Sequence, residues 1–351
     1  MSSSMMDNII FTRFRMSLES QGLFRIIFAL FIASLKLLSV PATELASVDP
    51  DFLLKPTGIF SYISTPPYFV LSGLNYLLMA CILLLLLGFY TKTSSLLIFL
   101  ISIFIAGLKC SLGKIDHHIL FLIVPGCMFF SRWGYAYSLD SLLRKKEVDS
   151  ESLSDGWPFG FLAICIAYGM FTSGVQKVLG GWLVTSSHAT LGWMTYLGEA
   201  WERPSLAYSN IDLLMTFGPL GFELMDWFPV MFDLLFPITL LNKKLFRTFC
   251  CFAVFFHIGT WLLVDIYFPN QTLVYAAFFN WQSILDFTRS KLAPSILRLC
   301  GGLVIAISIV GICQGKSFRM SIFMILACLF SSGWLLKESS FLFRSISRSR
   351  S

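Results

Sequence analysis

The chain has 351 residues, of which 56% are hydrophobic and only 13% are charged, and its mean hydropathy is +0.75. A soluble domain cannot bury so large an apolar fraction, so the composition predicts a membrane protein and excludes an ordinary soluble enzyme. The net charge of +6 comes from basic residues near the ends of apolar runs and in the C-terminal tail. Anionic headgroups are the expected partner of such residues, so we predict contact with membrane lipids and no nucleic acid.

Apolar runs long enough to cross about 30 Å of hydrocarbon recur along the chain, and they predict an all-α, polytopic protein with about ten transmembrane helices. Loops rich in Lys and Arg alternate with acidic loops, which predicts that both termini are cytoplasmic in a multi-pass protein of a bacterial inner membrane or an endomembrane. The predicted helices lie at residues 23–40, 68–90, 94–109, 117–131, 157–179, 219–241, 246–266, 270–283, 296–314 and 319–336.

The predicted domain organisation is one membrane domain without a soluble domain, because the two longest connections, 41–67 and 180–218, are too short to bury a core. The first apolar run has no recognisable cleavage motif and is predicted to be a retained helix. The expected parts are a cytoplasmic segment at 1–22, a transmembrane domain at 23–290, two further helices within 291–337 and a basic tail at 338–351.

Lys177 is the polar residue that most needs an explanation, since it lies near the end of the apolar segment YGMFTSGVQKVLGGW. A cation near hydrocarbon must reach the headgroups, find a partner or act as a neutral base. Gly180 and Gly181 suggest that the helix ends there, which favours a plain anchoring lysine, whereas general-base catalysis is the functional alternative. Small residues would let a second helix or a ligand approach the same face; they are Gly169, Ser173 and Gly174.

Two histidines are further candidates. His117 follows Asp116 at a predicted helix start, where it either caps the helix or donates to a substrate oxygen from a fixed tautomer. His257 lies in FAVFFHIGTWLL, and its surroundings favour either a buried structural hydrogen bond or a catalytic role. These residues do not have zinc-ligand spacing, so no metal site is predicted.

The sixth predicted helix carries acids that leave open a third reading, a proton or cation path through a transporter. The connection that precedes this helix contains WLVTSSHATLGWMTYLGEAW, which predicts an interfacial segment covering the region of Lys177. We find no internal repeat of the kind that marks many transporters. The acids are Glu223, Asp226 and Asp233.

Short motifs in a consistent order resemble one known family. KIDHHILFLIVPGCMFFSRWGYAYSLDSLL at 114–143 has a histidine at a helix start and an aromatic-Ser-x-Asp close, and GFYTK at 88–92 is a Gly-Phe-x-Thr-basic turn. GMFTSGVQKVLGGWL contains Gly-Val-x-Lys before a Trp, and VFFHIGTWL contains a Phe-His pair. Together, over roughly residues 20–290, they resemble the horizontally transferred transmembrane (HTTM) domain family, which includes vitamin K-dependent gamma-glutamyl carboxylases.

The resemblance implies an activity and roles for the candidate residues. Lys177 would be the base that deprotonates reduced vitamin K or another lipophilic quinol, His117 would stabilise an anionic intermediate, and His257 would support the site. The implied activity is carboxylase-like or a quinol-dependent oxidoreduction.

Two departures limit what the resemblance implies. The large strand-rich lumenal domain of the carboxylase has no counterpart in this sequence, and Gln176 stands where the carboxylase has a second lysine. Carboxylation of glutamate is therefore not the expectation. Two hypotheses remain ahead of the transporter: an enzyme acting on a quinol or another lipophilic substrate, and a non-catalytic membrane protein that binds lipid or quinone or scaffolds partners.

Overall fold

The structure is a computed structural model in which every regular element of the described residues is a helix, as the sequence predicts. The residues that it describes are 5–35, 45, 48–56, 58–112, 118–144, 156–200, 202, 205–282, 284, 286, 323–336 and 338.

The chain begins with a short helical segment, Met5–Asp7, that continues into a π-helical turn, Asn8–Arg13. A 3₁₀ helix, Phe236–Leu241, prolongs α9, and Pro237 lies in its first turn, where the missing N–H breaks the α-helical pattern. The numbered helices are α1 (Leu18–Leu35), α2 (Tyr68–Leu87), α3 (Thr91–Lys109), α4 (Ile119–Phe129), α5 (Leu139–Leu143), α6 (Trp157–Leu179), α7 (Ala189–Ala200), α8 (Ile211–Met215), α9 (Gly218–Leu235), α10 (Lys243–Val264), α11 (Pro269–Tyr275) and α12 (Phe323–Leu336).

Among the described residues, five helices are long and apolar enough to cross a membrane: α2, α3, α6, α9 with its 3₁₀ extension, and α10. The predicted total of about ten is not confirmed. The predicted span at 296–314 lies outside the described residues, and α1 begins at Leu18 rather than at residue 23. Helices α4 and α11 have 11 and 7 residues, shorter than predicted, because hydropathy alone does not register where a helix is capped or tightens into a 3₁₀ turn.

The chain forms two compact units. The first comprises residues 1–162 and 276–319, and the second comprises residues 163–275 and 320–351. Each unit has its own buried aromatic side chains, and the candidate residues Lys177 and His257 both belong to the second.

In the first unit, a buried arginine holds the end of α2. Arg25 of α1 is fully buried, and its guanidinium donates to the carbonyl of Leu85 at 2.8 Å and to the carbonyl of Tyr137. Gly88 ends α2 in the left-handed conformation at φ 67°, and a Cβ there would lie 2.0 Å from an Arg25 nitrogen. The glycine therefore provides both the turn and the space through which Arg25 reaches the helix end.

The start of α3 is held by a carboxylate from a distant part of the chain. Asp140 accepts hydrogen bonds from the backbone N–H groups of Tyr90 and Thr91 at 3.0 and 2.8 Å, and from the Thr91 hydroxyl at 2.7 Å. The first N–H groups of a helix have no partner within it, so Asp140 acts as a remote cap. The turn GFYTK between α2 and α3 is thus fixed at both sides, by Arg25 and by Asp140.

An aromatic cluster fills the interior beside this turn. Trp133 is 1% exposed, and its ring lies 6.3 and 5.9 Å from those of Phe24 and Phe28 of α1. Its indole N–H donates to the Ser95 hydroxyl of α3 at 3.1 Å. A buried indole needs such a partner, so this contact sets the position of α1 against α3.

The second unit is built on α9 and α10, which form an antiparallel pair. Asn242 lies between them and caps α10, since its side chain accepts from the N–H of Lys244 at 2.8 Å. Phe232 of α9 stacks on Phe249 of α10, with ring centroids 5.4 Å apart and planes 6° apart. The same two helices provide neighbours of Lys177 of α6, namely Asp233 and Phe256.

Removing the remote cap should destabilise the first unit. We expect Asp140→Ala to lower the free energy of unfolding by about 1–3 kcal/mol, because two N–H groups and a hydroxyl lose their acceptor. The matched control is Asp51→Ala, at an exposed position of the same unit. Equal unfolding midpoints of the two purified variants in detergent would contradict the capping role.

Candidate functional site

Lys177 lies in the last turn of α6, whose limits coincide with the predicted span at 157–179. One turn earlier, Gly174 lets α9 approach closely, since a Cβ there would come within 3.0 Å of side-chain atoms of Asp233 and Leu234. This confirms the expectation that a small residue on this face admits a second helix. The close approach brings Asp233 within reach of the lysine.

The ammonium of Lys177 is paired with a buried carboxylate. Its Nζ lies 2.5 Å from Oδ2 of Asp233 and 2.9 Å from the hydroxyl oxygen of Ser173. The Asp233 side chain is 1% exposed, against 18% for Lys177. The ammonium of Lys177 therefore has an ionic partner within the protein, a carboxylate on another apolar helix.

Aromatic rings surround the rest of the ammonium. Its Nζ lies 5.8 Å from the ring centroid of Trp182 and 5.8 Å from that of Phe256, both distances at which a cation is attracted to a ring. Trp182 follows α6 in the connection that the sequence predicts to cover the site. Phe256 belongs to α10 and directly precedes His257, so α6, α9 and α10 all contribute to the surroundings of Lys177.

His257 lies on α10 and is 4% exposed. Its Nε2 is 2.9 Å from the hydroxyl oxygen of Tyr275, at the end of α11, and the two rings are within 5° of parallel. The Phe268 ring covers the imidazole at 4.7 Å. The histidine is thus held by one hydrogen bond and by aromatic packing.

Lys177 lies on the same face of α6 as the residue that the Tyr275 hydroxyl contacts. The Tyr275 hydroxyl approaches the sulfur of Met170 at 4.0 Å, and Met170 precedes Lys177 by seven residues. A separation of seven residues is two helical turns, which returns to the same face about 10 Å along the axis. Lys177 and the contact between Met170 and Tyr275 therefore lie on one face of α6.

Two buried polar atoms of these pairs have no hydrogen-bond partner among the described residues: Oδ1 of Asp233 and Nδ1 of His257. Buried polar atoms are nearly always paired, so each such exception needs an explanation. A bound water or a ligand hydroxyl, which both donates and accepts, would satisfy either atom.

His117, the third predicted site residue, lies outside the described residues together with Asp116. Its neighbour His118 occupies the position before α4. The role of His117 stays a prediction.

Two other acids of α9 hold the connection that leads to α7. Asp226 accepts from the backbone N–H groups of Ala189 and Thr190, both at 2.7 Å, at the positive N-terminus of α7. Glu223 accepts from the N–H of Ser186 at 2.6 Å. With Asp233 bound to Lys177, each of the three acids has a partner in the second unit.

Sequence reasoning did not identify Asp233 as the partner of Lys177 or Tyr275 as the partner of His257. For Asp233 a signal existed, since a lysine in an apolar segment calls for an acid, but three acids on α9 were available. For Tyr275 the sequence gives no signal, because a tyrosine in an apolar run is common.

Over the part of the chain that the structure describes, these features define a helical membrane protein with a partly buried ion pair between apolar helices. The sequence model of the HTTM domain matches residues 15–283, and the chain therefore belongs to the HTTM domain family. No curated protein and no solved structure matches the chain.

Replacing one member of the ion pair should lower the free energy of unfolding more than replacing both members. We expect Lys177→Met and Asp233→Leu each to lower the free energy of unfolding, the former by about 3–5 kcal/mol because it leaves a buried carboxylate without its cation. The double variant should recover most of the loss, since an apolar pair of similar volume suits apolar helices. The measurement is a double-mutant cycle of unfolding in detergent, with Lys55→Met at an exposed position as control. Additive effects would rule out the coupling.

Proposed function

We propose that this HTTM protein is a polytopic membrane enzyme in which Lys177 is the general base for a quinol or another lipophilic hydroxyl compound. Asp233 is its ionic partner, and His257 supports the site. The observation that carries the proposal is the charged pair between apolar helices, together with the buried Oδ1 of Asp233 and Nδ1 of His257, which have no partner among the described residues.

Energetics favour a functional reading of the pair. Removing two charges from water has a desolvation penalty that their mutual attraction often fails to offset, and apolar residues of similar volume are frequently as stable. A membrane helix has little structural need for such a pair, so ionisable groups within membrane segments are by default functional candidates.

A general base must first be a neutral amine, so the resting ammonium has to lose its proton. Asp233 is positioned to receive it, because its carboxylate already accepts the hydrogen bond from Nζ. The neutral amine of Lys177 would then take the proton of a substrate hydroxyl and become an ammonium again beside the new substrate anion. The proton thus moves from the substrate to Nζ, and the anion remains next to a cation in a site of low polarity.

The residues around Lys177 fit a flat aromatic ring that carries hydroxyl groups. The rings of Trp182 and Phe256 provide apolar faces, while the ammonium and the unpartnered Nδ1 of His257 provide polar contacts. Reduced vitamin K or a related quinol has these properties, and when bound it supplies the reaction with oxygen.

The absence of a second lysine changes the electrostatics of the site relative to the carboxylases. Gln176, at that position, is exposed, whereas Lys177 on the neighbouring face is partly buried. Gln176 adds no positive charge that would oppose the ammonium of Lys177. We therefore propose proton abstraction from a lipophilic substrate, and not carboxylation of a protein substrate, as the activity.

A non-catalytic protein that binds lipid or quinone is the second candidate. It is favoured by one observation: the ammonium already has two acceptors, Asp233 and Ser173, as a purely structural lysine would. The two candidates differ in whether replacing Lys177 abolishes turnover or only changes stability.

Oxygen uptake by purified, lipid-reconstituted protein with reduced naphthoquinones and benzoquinones tests the proposal. Lys177→Arg keeps the cation and its pairing to Asp233 but cannot act as a base, so we expect kcat to fall by about 100-fold or more while the quinol KM changes little. The apolar double variant Lys177→Met/Asp233→Leu should fold and be equally inactive. Lys55→Arg, at an exposed position, is the matched control.

The result that overturns the proposal is equally concrete. If wild type consumes no oxygen with any quinol, yet wild type and Lys177→Arg bind quinone alike, the protein is a binding protein. If Lys177→Arg turns over at the wild-type rate, Lys177 is not the base.

A further inference from the structure

The hydrogen bond between His257 and Tyr275 has a preferred direction. The phenol O–H is the stronger donor of the two groups, and a bare imidazole nitrogen is a much better acceptor than the thioether of Met170, which lies 4.0 Å from the same hydroxyl. The same hydroxyl also has the geometry to donate to the Met170 sulfur, but donation to Nε2 is the favoured arrangement. A neutral imidazole has one proton, so that proton must then be on Nδ1.

The surroundings hold the imidazole in this arrangement. The ring is 4% exposed, nearly parallel to Tyr275, and packed by Phe256 and Phe268 at centroid distances of 5.5 and 4.7 Å. Rotation of the ring would break the single bond to Tyr275 and displace these aromatic contacts. Tautomer and orientation are consequently set together, by a residue that itself lies on α11.

The consequence is an N–H group at Nδ1 that is buried and has no acceptor in the described part of the chain. We propose that Tyr275 is a positioning residue that fixes His257 as the Nδ1–H tautomer, and that this N–H donates to an anionic oxygen of the bound ligand. The part of the proposal that concerns the ligand rests on the proposed function, because it is Lys177 that would create the anion.

With this assignment, Lys177 and His257 have complementary roles. Lys177 removes a proton from one hydroxyl, and His257 donates to an oxygen on which negative charge develops. The ligand class is that of the proposed function, a lipophilic aromatic compound with an ionisable hydroxyl.

Nitrogen-15 NMR of the full chain labelled at histidine tests the tautomer directly. The sequence contains four histidines, and the His257 signals are identified by their loss in His257→Gln. In wild type we expect a protonated, pyrrole-type shift at Nδ1 and an unprotonated, pyridine-type shift at Nε2. Tyr275→Phe should replace this pattern by a mixture of tautomers, whereas Tyr196→Phe, at an exposed tyrosine of the same unit, should leave it unchanged.

Kinetics provide the second readout. In the oxygen-uptake assay we expect Tyr275→Phe to lower kcat about tenfold with little change in KM, since the donor is lost from the productive geometry and not from substrate binding. A merely structural tyrosine would alter stability without altering the tautomer.

The possible outcomes separate this inference from the proposed function. A protonated Nε2 in wild type, or an unchanged spectrum in Tyr275→Phe, overturns the positioning role even if Lys177-dependent turnover is found. A wild-type Nδ1–H tautomer that depends on Tyr275, without oxygen uptake, supports the positioning role and removes the quinol activity.

Discussion

The structure depends on one constraint: a polar or charged group between apolar helices must find a partner within the protein. Lys177 and Asp233 satisfy it together, because Gly174 lets α9 approach α6 closely enough for the carboxylate to meet the ammonium. The second unit is organised by this contact, with α10 adding Phe256 beside the ammonium and His257 one position further along the chain.

The same constraint shapes the first unit by a different means. There, two charged side chains, Arg25 and Asp140, bind the backbone at the ends of helices. Arg25 satisfies carbonyls at the end of α2, and Asp140 satisfies N–H groups at the start of α3. In the second unit, Asp226 of α9 likewise accepts from an N–H group at the start of α7. Arg25, Asp140 and Asp226 thus bind backbone groups at helix ends, whereas Lys177 and Asp233 pair side chain to side chain.

The need to pair buried polar groups also bears on the proposed chemistry at Lys177 and His257. A stable protein needs every buried polar atom paired, whereas a binding site keeps some of them for its ligand. Asp233 and His257 each have one satisfied and one unsatisfied atom. Such half-satisfied groups, held in place by Lys177 and Tyr275, fit the proposed site, because a preorganised site keeps its donors and acceptors in position before the ligand binds.

The sequence by itself determined the helical class, the membrane environment, the limits of α6 and the family, because hydropathy and short motifs are local properties of the chain. It also identified Lys177 and His257 as residues in need of an explanation. Only the tertiary structure decided their partners, since Asp233 is 56 residues from Lys177 and one of three acids on its helix. Which acid meets the lysine depends on helix rotation and on the close approach at Gly174, and neither property is written in the local pattern.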